Sequence, residues 1–426
     1  MSVRIAMPTS EFSNAAPRLP RLPDPRRVRR IANDAEALAA ARALAQTVAP
    51  GASQRDRERA LPWDELDSWS ESGLGAITVP RAFGGADVSY ATLAEVFVLL
   101  CAADSAFGQI PQNHFGLLGI LREIGTPAQQ ARFYGEVLAG RRLGNAGPER
   151  RSAASATILQ GATRLSTTPE GLRLNGERFY STGALFAHRV PTRATDEEGH
   201  AVQVWVPRDA RGVAVIDDWS SFGQRTTASG TVRFDNVAID AEDVLPIWQL
   251  TERPGLYGPT SQLIQAAIDQ GIAEAAVADA LEFVRERARP WVDSGVARAA
   301  DDPYIIADVG RLQIDLHAAR EVLLEAGRTL DGLVADAFGD GLSPEASARA
   351  SVAVAAAKVL TTRIALEASE KLFELAGSAA TRAAHNLDRH WRNARTHTLH
   401  DPVRWKLHLL GNYHLNGALP ARHSWN

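Results

Sequence analysis

The sequence is poor in cysteine and contains no long hydrophobic run. Its one cysteine, Cys101, excludes an internal disulfide framework and any cysteine-rich zinc or iron–sulfur site. No apolar stretch approaches the roughly 18 residues that a membrane span requires, and the N-terminus lacks the apolar region of a secretory signal. We therefore expect a soluble, cytoplasmic protein with no membrane partner.

The chain also lacks a dominant charge and the common nucleotide and hydrolase motifs. Its 46 basic and 50 acidic side chains give a net charge of −4, which argues against a nucleic-acid partner. The patterns G-x-G-x-x-G, G-x-S-x-G and H-E-x-x-H and the P-loop are absent. The 426 residues, 45% of them apolar, are enough for two or three globular domains.

Residues 1–30 are rich in proline and arginine, and residues 31–140 read as a helical domain. Proline at this density predicts a flexible tail for residues 1–30, either solvated or in contact with another subunit. An arm that binds an anionic partner is the alternative. Asn33 offers the first helix cap of the following domain. Apolar spacing predicts further helices at 61–73, 88–103, 114–125 and 127–139.

The apolar period shifts towards two after residue 140, which predicts a β domain over residues 141–247. The pair Asn175-Gly176 is a strong hairpin signal, because both residues tolerate a positive φ. Helical spacing returns over residues 248–426, with long helices at 262–288 and 345–376. The fold class is therefore α+β and mostly helical.

Histidine is concentrated near the C-terminus, where seven of the eleven histidines follow residue 384. His397 and His400 would share one face of a helix. No carboxylate pattern accompanies them, so we predict no metal site. Histidine titrates near neutral pH, so a proton-transfer role is the functional interpretation. Surface or inter-subunit histidines are the alternative.

Four stretches resemble motifs of the acyl-CoA dehydrogenase superfamily. They are Gly73–Gly85, Gly125–Gly140, Leu174–Ala184 and Phe222–Val237, and they occur in that family's order. The resemblance implies an N-terminal helical domain, a central antiparallel β-sandwich and a C-terminal four-helix bundle. It also implies a flavin between the β domain and the bundle, within a homotetramer.

The departures from that family concern its catalytic base and its cofactor. Asp401, one methylene shorter, stands where the dehydrogenases carry the glutamate that abstracts the substrate α-proton, and the alternative position falls near Ser261. A shorter carboxylate counts against dehydrogenation, since a base must reach its proton within about 3 Å. The family's adenine-binding segment reads R-A-R-P-W-V-D at Arg287–Asp293, which favours FMN over FAD.

The segment H-W-R-N-A-R-T-H-T-L-H-D-P, followed by G-N-Y-H-L-N-G, points to another branch. It is similar to the flavin-dependent dibenzothiophene monooxygenases and to the sulfur-acquisition oxidoreductases of the SfnB family. The resemblance implies a two-component monooxygenase that takes reduced FMN from a separate NAD(P)H:flavin reductase. Through a C4a-hydroperoxyflavin formed with O2, it would oxygenate a small organosulfur compound. An FAD-dependent acyl-CoA dehydrogenase and a non-enzymatic flavin-binding protein are the alternatives.

The resemblance also implies which residues surround the flavin. The catalytic candidates are His114 in Q-N-H-F-G, Thr182, and His400 in L-H-D-P, with His397 beside it. His114 could instead line a helix junction, and Thr182 could be an ordinary strand hydroxyl. Ser181 and Thr182 point to opposite faces of an extended chain, so only one can face the flavin. The candidates for cofactor binding are Asn145, Ser181, Thr182, Arg392 and Arg395, of which the two arginines could serve the structure or the flavin phosphate.

Overall fold

The computed structural model describes residues 18–149, 162–336 and 341–426, and the first of these ranges is helical. Four of its seven helices begin at side-chain caps. Asn33 Oδ1 accepts a hydrogen bond from the N–H of Glu36 at 3.0 Å, and Thr126 and Gln129 form a capping box. The helices are α1 (Asp34–Val48), α2 (Ala52–Glu58), α3 (Trp63–Ser72), α4 (Tyr90–Ala103), α5 (Ser105–Gln109), α6 (Gln112–Ile124) and α7 (Pro127–Leu138).

The described part of the proline- and arginine-rich segment, residues 18–30, forms no helix or strand, as its composition predicts. It is nevertheless packed against the domain. Val28 is buried, and a ring nitrogen of His188, Nε2, hydrogen-bonds to the carbonyl oxygen of Arg21 at 3.0 Å. The prediction of a flexible tail is therefore wrong for residues 18–30. Residues 1–17 lie outside the described ranges.

The central strands form one seven-stranded sheet in the order β5-β6-β2-β1-β3-β4-β7. All pairings are antiparallel except that of β1 with β3, which are parallel and meet at Arg164 and Thr195. The predicted antiparallel β-sandwich thus occurs as a single mixed sheet. The strands are β1 (Arg164–Thr168), β2 (Gly171–Arg178), β3 (Arg189–Thr195), β4 (Ala201–Pro207), β5 (Val213–Ile216), β6 (Thr231–Ile239) and β7 (Val244–Leu245).

The hairpin predicted at Asn175-Gly176 is wrong. Both residues lie within β2, where the register against β6 shifts between Leu174 and Gly176. Gly176 has a φ of 146°, and a Cβ there would lie 2.6 Å from Thr163 Cα. Glycine is required both in a tight turn and in a bulge that lies close to a neighbouring backbone. The Asn-Gly dipeptide alone therefore does not distinguish a hairpin turn from a bulge.

The C-terminal part is helical and packs on α4. Helices α9, α10 and α11 lie side by side, and α4 contacts both α9 and α10. A Cβ at Gly271 of α9 would lie 2.7 Å from Val98 O of α4, so these backbones approach closely. The sequence predicts a bundle confined to the C-terminal part of the chain. In the structure, α4 of the N-terminal part also belongs to the bundle. Its helices are α8 (Gln249–Glu252), α9 (Tyr257–Glu286), α10 (Pro303–Asp336), α11 (Pro344–Ala376), α12 (Asp388–His397) and α13 (Arg404–Asn416).

Residues 18–149, 162–336 and 341–426 contain neither a membrane-spanning helix nor a metal-binding group of side chains. None of their helices is both long enough and apolar enough to cross a bilayer. No group of three or more histidine, cysteine, aspartate or glutamate side chains there is arranged to hold a metal ion.

Candidate functional site

A cavity of about 130 Å³ lies where the helical parts meet the sheet. Helix α6, the loop after α7, strands β3 and β4, the first turn of α9 and the turn after α12 all contribute to its wall. The C-terminal residues Ser424 and Trp425 close one side. The remaining lining residues are Asn113, Gly116, Leu117, Ile120, Asn145, Gly147, Pro148, Arg193, Gln203, Tyr257, Ser261 and His400.

Asn145 is held in the cavity wall by a loop with little freedom. Its backbone N–H donates to the carbonyl oxygen of Thr182 at 3.1 Å. The Arg178 guanidinium donates to the carbonyl oxygen of Gly147 at 2.8 Å. A Cβ at Gly144 would lie 2.6 Å from Ala184 Cα, so the two loops touch through their backbones. The Asn145 amide, which makes no side-chain hydrogen bond to another described residue, is thereby presented to the cavity.

His400 lines the same cavity and is oriented by its neighbour in sequence. Its Nδ1 lies 3.3 Å from Asp401 Oδ1, and Lys406 Nζ lies 3.6 Å from Asp401 Oδ2. Burial alone would raise the pKa of Asp401, but the hydrogen bond from His400 and the charges of Lys358 and Lys406 lower it well below its usual range. An ionised Asp401 therefore supports a proton on His400 Nδ1.

Asp401 does not reach the cavity that Asn145 and His400 share. It is buried and lines a second cavity with Pro402 and Trp405. Ser261, the other position where a base was considered, lines the first cavity but carries only a hydroxyl. No aspartate or glutamate belongs to the described lining of that cavity, so its wall offers no carboxylate for α-proton abstraction.

The two adjacent hydroxyls of the β domain have different partners. Thr182 Oγ1 is hydrogen-bonded to Ser229 Oγ at 2.7 Å, and Ser229 Oγ is bonded in turn to Thr227 Oγ1. Ser181 Oγ is buried and has no hydrogen-bond partner among the described residues. Ser181 is therefore the hydroxyl that is free to bind a ligand, whereas Thr182 is engaged within the domain.

His114 faces the protein core and not the cavity. Its Nε2 donates to Gly75 O at 2.8 Å, and its Nδ1 accepts from Leu143 N–H at 3.1 Å, so both ring nitrogens are used. Burial lowers the pKa of His114 to about 4. His114 is not among the described residues that line the cavity, where its neighbour Asn113 lies, and its catalytic role stays a prediction.

His397 is also directed inward. Its Nδ1 lies 2.5 Å from Asp269 Oδ1. Asp269 accepts further hydrogen bonds from Lys358 Nζ and Thr362 Oγ1, each at 2.8 Å. Burial raises the pKa of Asp269, but Lys358 and His397 lower it more, to about 2. His397 therefore belongs to a buried ionic cluster between helices and does not line the cavity as a catalytic residue would.

The two arginines of α12 differ in their surroundings. Arg392 donates to Asp56 Oδ2 at 2.6 Å and to Asp388 Oδ2 at 2.7 Å. These carboxylates neutralise Arg392 and support the structural alternative, while its flavin contact stays a prediction. Arg395 is half-buried and forms no ion pair with another described residue.

Most cavity residues were not singled out from the sequence, and four of them have large polar or aromatic side chains. Arg193 and Gln203 lie directly opposite each other on β3 and β4. Tyr257 and Trp425 come from the start of α9 and the end of the chain. Strand alternation could have placed Arg193 and Gln203 on one face, but only the tertiary fold brings them to α6 and α9.

The donors at the cavity suit a flavin. Flavin rings present carbonyl and ring-nitrogen groups to the protein. The free amide of Asn145 and the unpartnered, buried Ser181 Oγ can bind such groups. Ser181 does not line the cavity, but its neighbour Thr182 accepts a hydrogen bond from the Asn145 backbone, so the Ser181 hydroxyl lies on the loop that supports the Asn145 wall.

Comparison with known proteins identifies the family. Residues 33–141 match the family described as acyl-CoA dehydrogenase, N-terminal domain, and residues 263–405 match its C-terminal domain. Dibenzothiophene monooxygenase of Rhodococcus erythropolis is 34% identical, covering 93% of this chain and 98% of the relative. The probable FMNH2-dependent monooxygenase SfnC of Pseudomonas putida is 31% identical, with coverages of 90% and 96%.

Solved structures agree with these matches. FMN-bound TdsC from Paenibacillus sp. A11-2 superposes with a TM-score of 0.86 at 31% identity, covering 92% of this chain and all of that one. Methanesulfinate monooxygenase MsuC from Pseudomonas fluorescens gives a TM-score of 0.82 at 30% identity, with coverages of 91% and 99%. The chain belongs to the acyl-CoA dehydrogenase superfamily, and within it to the group of flavin-dependent monooxygenases related to dibenzothiophene monooxygenase.

Proposed function

We propose that this protein is the oxygenase component of a two-component, FMNH2-dependent monooxygenase that acts on a small organosulfur compound. A separate NAD(P)H:flavin reductase supplies the reduced FMN, and O2 is the oxidant. One oxygen atom enters the substrate sulfur compound and the other leaves as water. The relatives that carry this chemistry match nearly the whole chain.

One observation carries the proposal. Asn145 and His400 share a cavity whose described lining contains no carboxylate, while Asp401 is turned away and bound to His400 and Lys406. A site arranged in this way can bind a flavin and move a proton at an imidazole. It lacks the base that removal of a substrate α-proton demands.

The chain's own residues have distinct tasks. The Asn145 amide and the Ser181 hydroxyl bind and orient the flavin ring. Bound reduced flavin supplies the electrons that activate O2. His400, with Nδ1 held by Asp401, holds a proton that it can deliver at Nε2. Trp425 and Leu117 exclude water from the cavity.

The decisive experiment supplies reduced FMN through a reductase and NADH under isotopically labelled O2, with methanesulfinate and dibenzothiophene as separate probes. We expect product containing one labelled oxygen atom per NADH consumed. Reduction of bound flavin by an acyl-CoA in the absence of O2, with no labelled product, would instead establish dehydrogenation. Riboflavin and FAD tested in place of FMN report which flavin the site takes.

We also infer a cytoplasmic homotetramer. Helix α10 presents large apolar side chains to solvent in the single chain, among them Tyr304 at 82% and Ile314 at 70% exposure. Apolar groups at this density are typical of a surface that a second subunit covers. Light scattering coupled to gel filtration should give four times the 45.9 kDa chain mass.

A further inference from the structure

Arg193 is a cationic side chain in the cavity wall without a carboxylate partner. Two other buried arginines of the same sheet are paired: Arg178 lies 3.2 Å from Glu149, and Arg189 lies 2.7 Å from Glu136. Arg193 is half-buried, and its guanidinium donates to Tyr257 Oη at 2.6 Å, but it forms no ion pair with any described residue. A partly desolvated, unneutralised guanidinium favours an anionic ligand.

The residues around Arg193 also favour an anionic ligand. Gln203, its direct partner across β3 and β4, is 3% exposed, and its Oε1 has no hydrogen-bond partner among the described residues. Gln203 Nε2 likewise makes no hydrogen bond to a described residue, and this N–H group is the one that can donate to an anion. Burial lowers the pKa of Arg178 to about 10. The Glu149 carboxylate raises this pKa, and the nearby positive charge of Arg193 lowers it further. Arg193 therefore contributes a positive charge to this end of the cavity that no described carboxylate neutralises.

The opposite wall is apolar and close. Leu117 and Ile120 of α6 line it, and Trp425 closes the side. The cavity has a volume of about 130 Å³, and His400 and Trp425 also line the second, larger cavity. A ligand of a few heavy atoms, with a charged end and a short hydrocarbon end, matches this division.

We propose that Arg193 is the specificity-determining residue for an anionic substrate, a short-chain alkanesulfinate whose oxyanion it binds together with Gln203. This inference rests on the proposed function. The sulfinate sulfur carries a lone pair and accepts one oxygen atom, so the sulfinate, O2 and reduced FMN give the sulfonate, oxidised FMN and water. Sulfur is oxidised by two electrons, which pass to O2 together with the two electrons of the flavin.

Binding of methanesulfinate to the purified protein, measured by calorimetry without flavin turnover, tests the inference. We expect Arg193→Met to weaken methanesulfinate binding by about tenfold or more, the usual effect of losing a hydrogen bond to a charged group. Arg193→Lys should weaken it less. Dimethyl sulfone, a neutral probe of similar size, should bind more weakly than the sulfinate and equally to wild type and variants. Arg233→Met, at an exposed arginine of β6 paired with Glu177, is the matched control.

FMN phosphate is the other anion that Arg193 could bind, and a parallel titration separates the two. If Arg193→Met weakens binding of FMN but not of riboflavin, and leaves methanesulfinate binding unchanged, the inference is overturned. Should the variant fail to fold, the wild-type protein still decides: sulfinate binding must weaken with rising salt, and equal binding of sulfinate and sulfone contradicts the inference. Arg193-dependent sulfinate binding without labelled product would leave the inference standing and refute the proposed oxygenation.

Discussion

His400 and Asp401 are consecutive in the chain, yet only His400 reaches the cavity that contains Asn145. Asp401 lies behind it, with its Oδ1 3.3 Å from His400 Nδ1, and lines a second cavity whose wall also includes His400 and Trp425. The carboxylate that aligns with the dehydrogenase base therefore acts on the histidine and not on a substrate. In this arrangement the carboxylate does not abstract a substrate proton directly. It instead orients the imidazole of His400 through a hydrogen bond.

Replacement of His400 by asparagine should uncouple the reaction. Without the imidazole, product formation should fall by roughly 100-fold or more, the usual contribution of a general acid or base. Reducing equivalents should then appear as hydrogen peroxide, while FMN affinity changes little. Product and peroxide are measured in the same reaction. His408→Asn, at an exposed histidine that lines only the second cavity, is the control, and equal product yields in both variants would contradict the role.

Burial of His114 makes stability depend on pH. Its pKa is about 4 in the folded chain against 6.5 for an ordinary histidine, so the unfolded state binds the proton more readily between these values. Its contribution is therefore complete above pH 6.5 and is lost as pH falls towards 4, at about 1.4 kcal/mol per pH unit. Denaturant unfolding at pH 7.5, 6 and 5 measures this slope. Burial lowers the pKa of His188 to about 4 as well, so His114→Gln should reduce the slope by up to about 1.4 kcal/mol per pH unit without removing it. His317→Gln, at an exposed histidine of α10, should leave the slope unchanged.

The cluster around Asp269 should respond unequally to loss of its donors. Lys358→Met leaves a buried carboxylate without its cation and should cost about 3–5 kcal/mol of unfolding free energy. Thr362→Val removes one hydrogen bond to the same oxygen and should cost about 1.5–3 kcal/mol. Lys371→Met breaks an ion pair with Glu374 near the surface and should change stability by about 1 kcal/mol at most. Chemical denaturation ranks the three, and a different order would refute this account.

Two helical glycines should behave in opposite ways when replaced by alanine. A Cβ at Gly271 would lie 2.7 Å from Val98 O, so Gly271→Ala must force α9 from α4 and should cost about 1–3 kcal/mol. At Gly310 of α10 no atom lies within 4 Å of the added carbon. Gly310→Ala should therefore stabilise the chain by up to about 1 kcal/mol. Thermal unfolding of the two variants measures the contrast.

The order of helical, β and helical regions could be predicted from the sequence because apolar spacing follows the local geometry of each element. The predicted helices at 88–103 and 345–376 correspond to α4 and α11 within two residues at each end. Helix α10 was not predicted, although it spans 34 residues. Much of its surface is exposed in the single chain, so its apolar residues mark no clear inward face.

Site residues were harder to predict because motif alignment gives position but not direction. Asn145 and His400 were predicted and share the cavity. His114 and Asn113 are neighbours on α6, and a one-residue rotation of roughly 100° decides which of them faces the ligand. Arg193 was missed because what distinguishes it from other arginines is that no described carboxylate pairs with it. Whether an arginine forms an ion pair depends on carboxylates that are distant in sequence and are brought near it only by the fold.

The contact of α4 with α9 and α10 has a consequence for how the protein unfolds. Since the core of the bundle includes a helix from the N-terminal half, neither half can expose its interior without the other. The two matched family regions therefore form one cooperative folding unit, not two modules joined by a sheet. A C-terminal fragment produced alone would carry an uncovered hydrophobic groove in the place of α4.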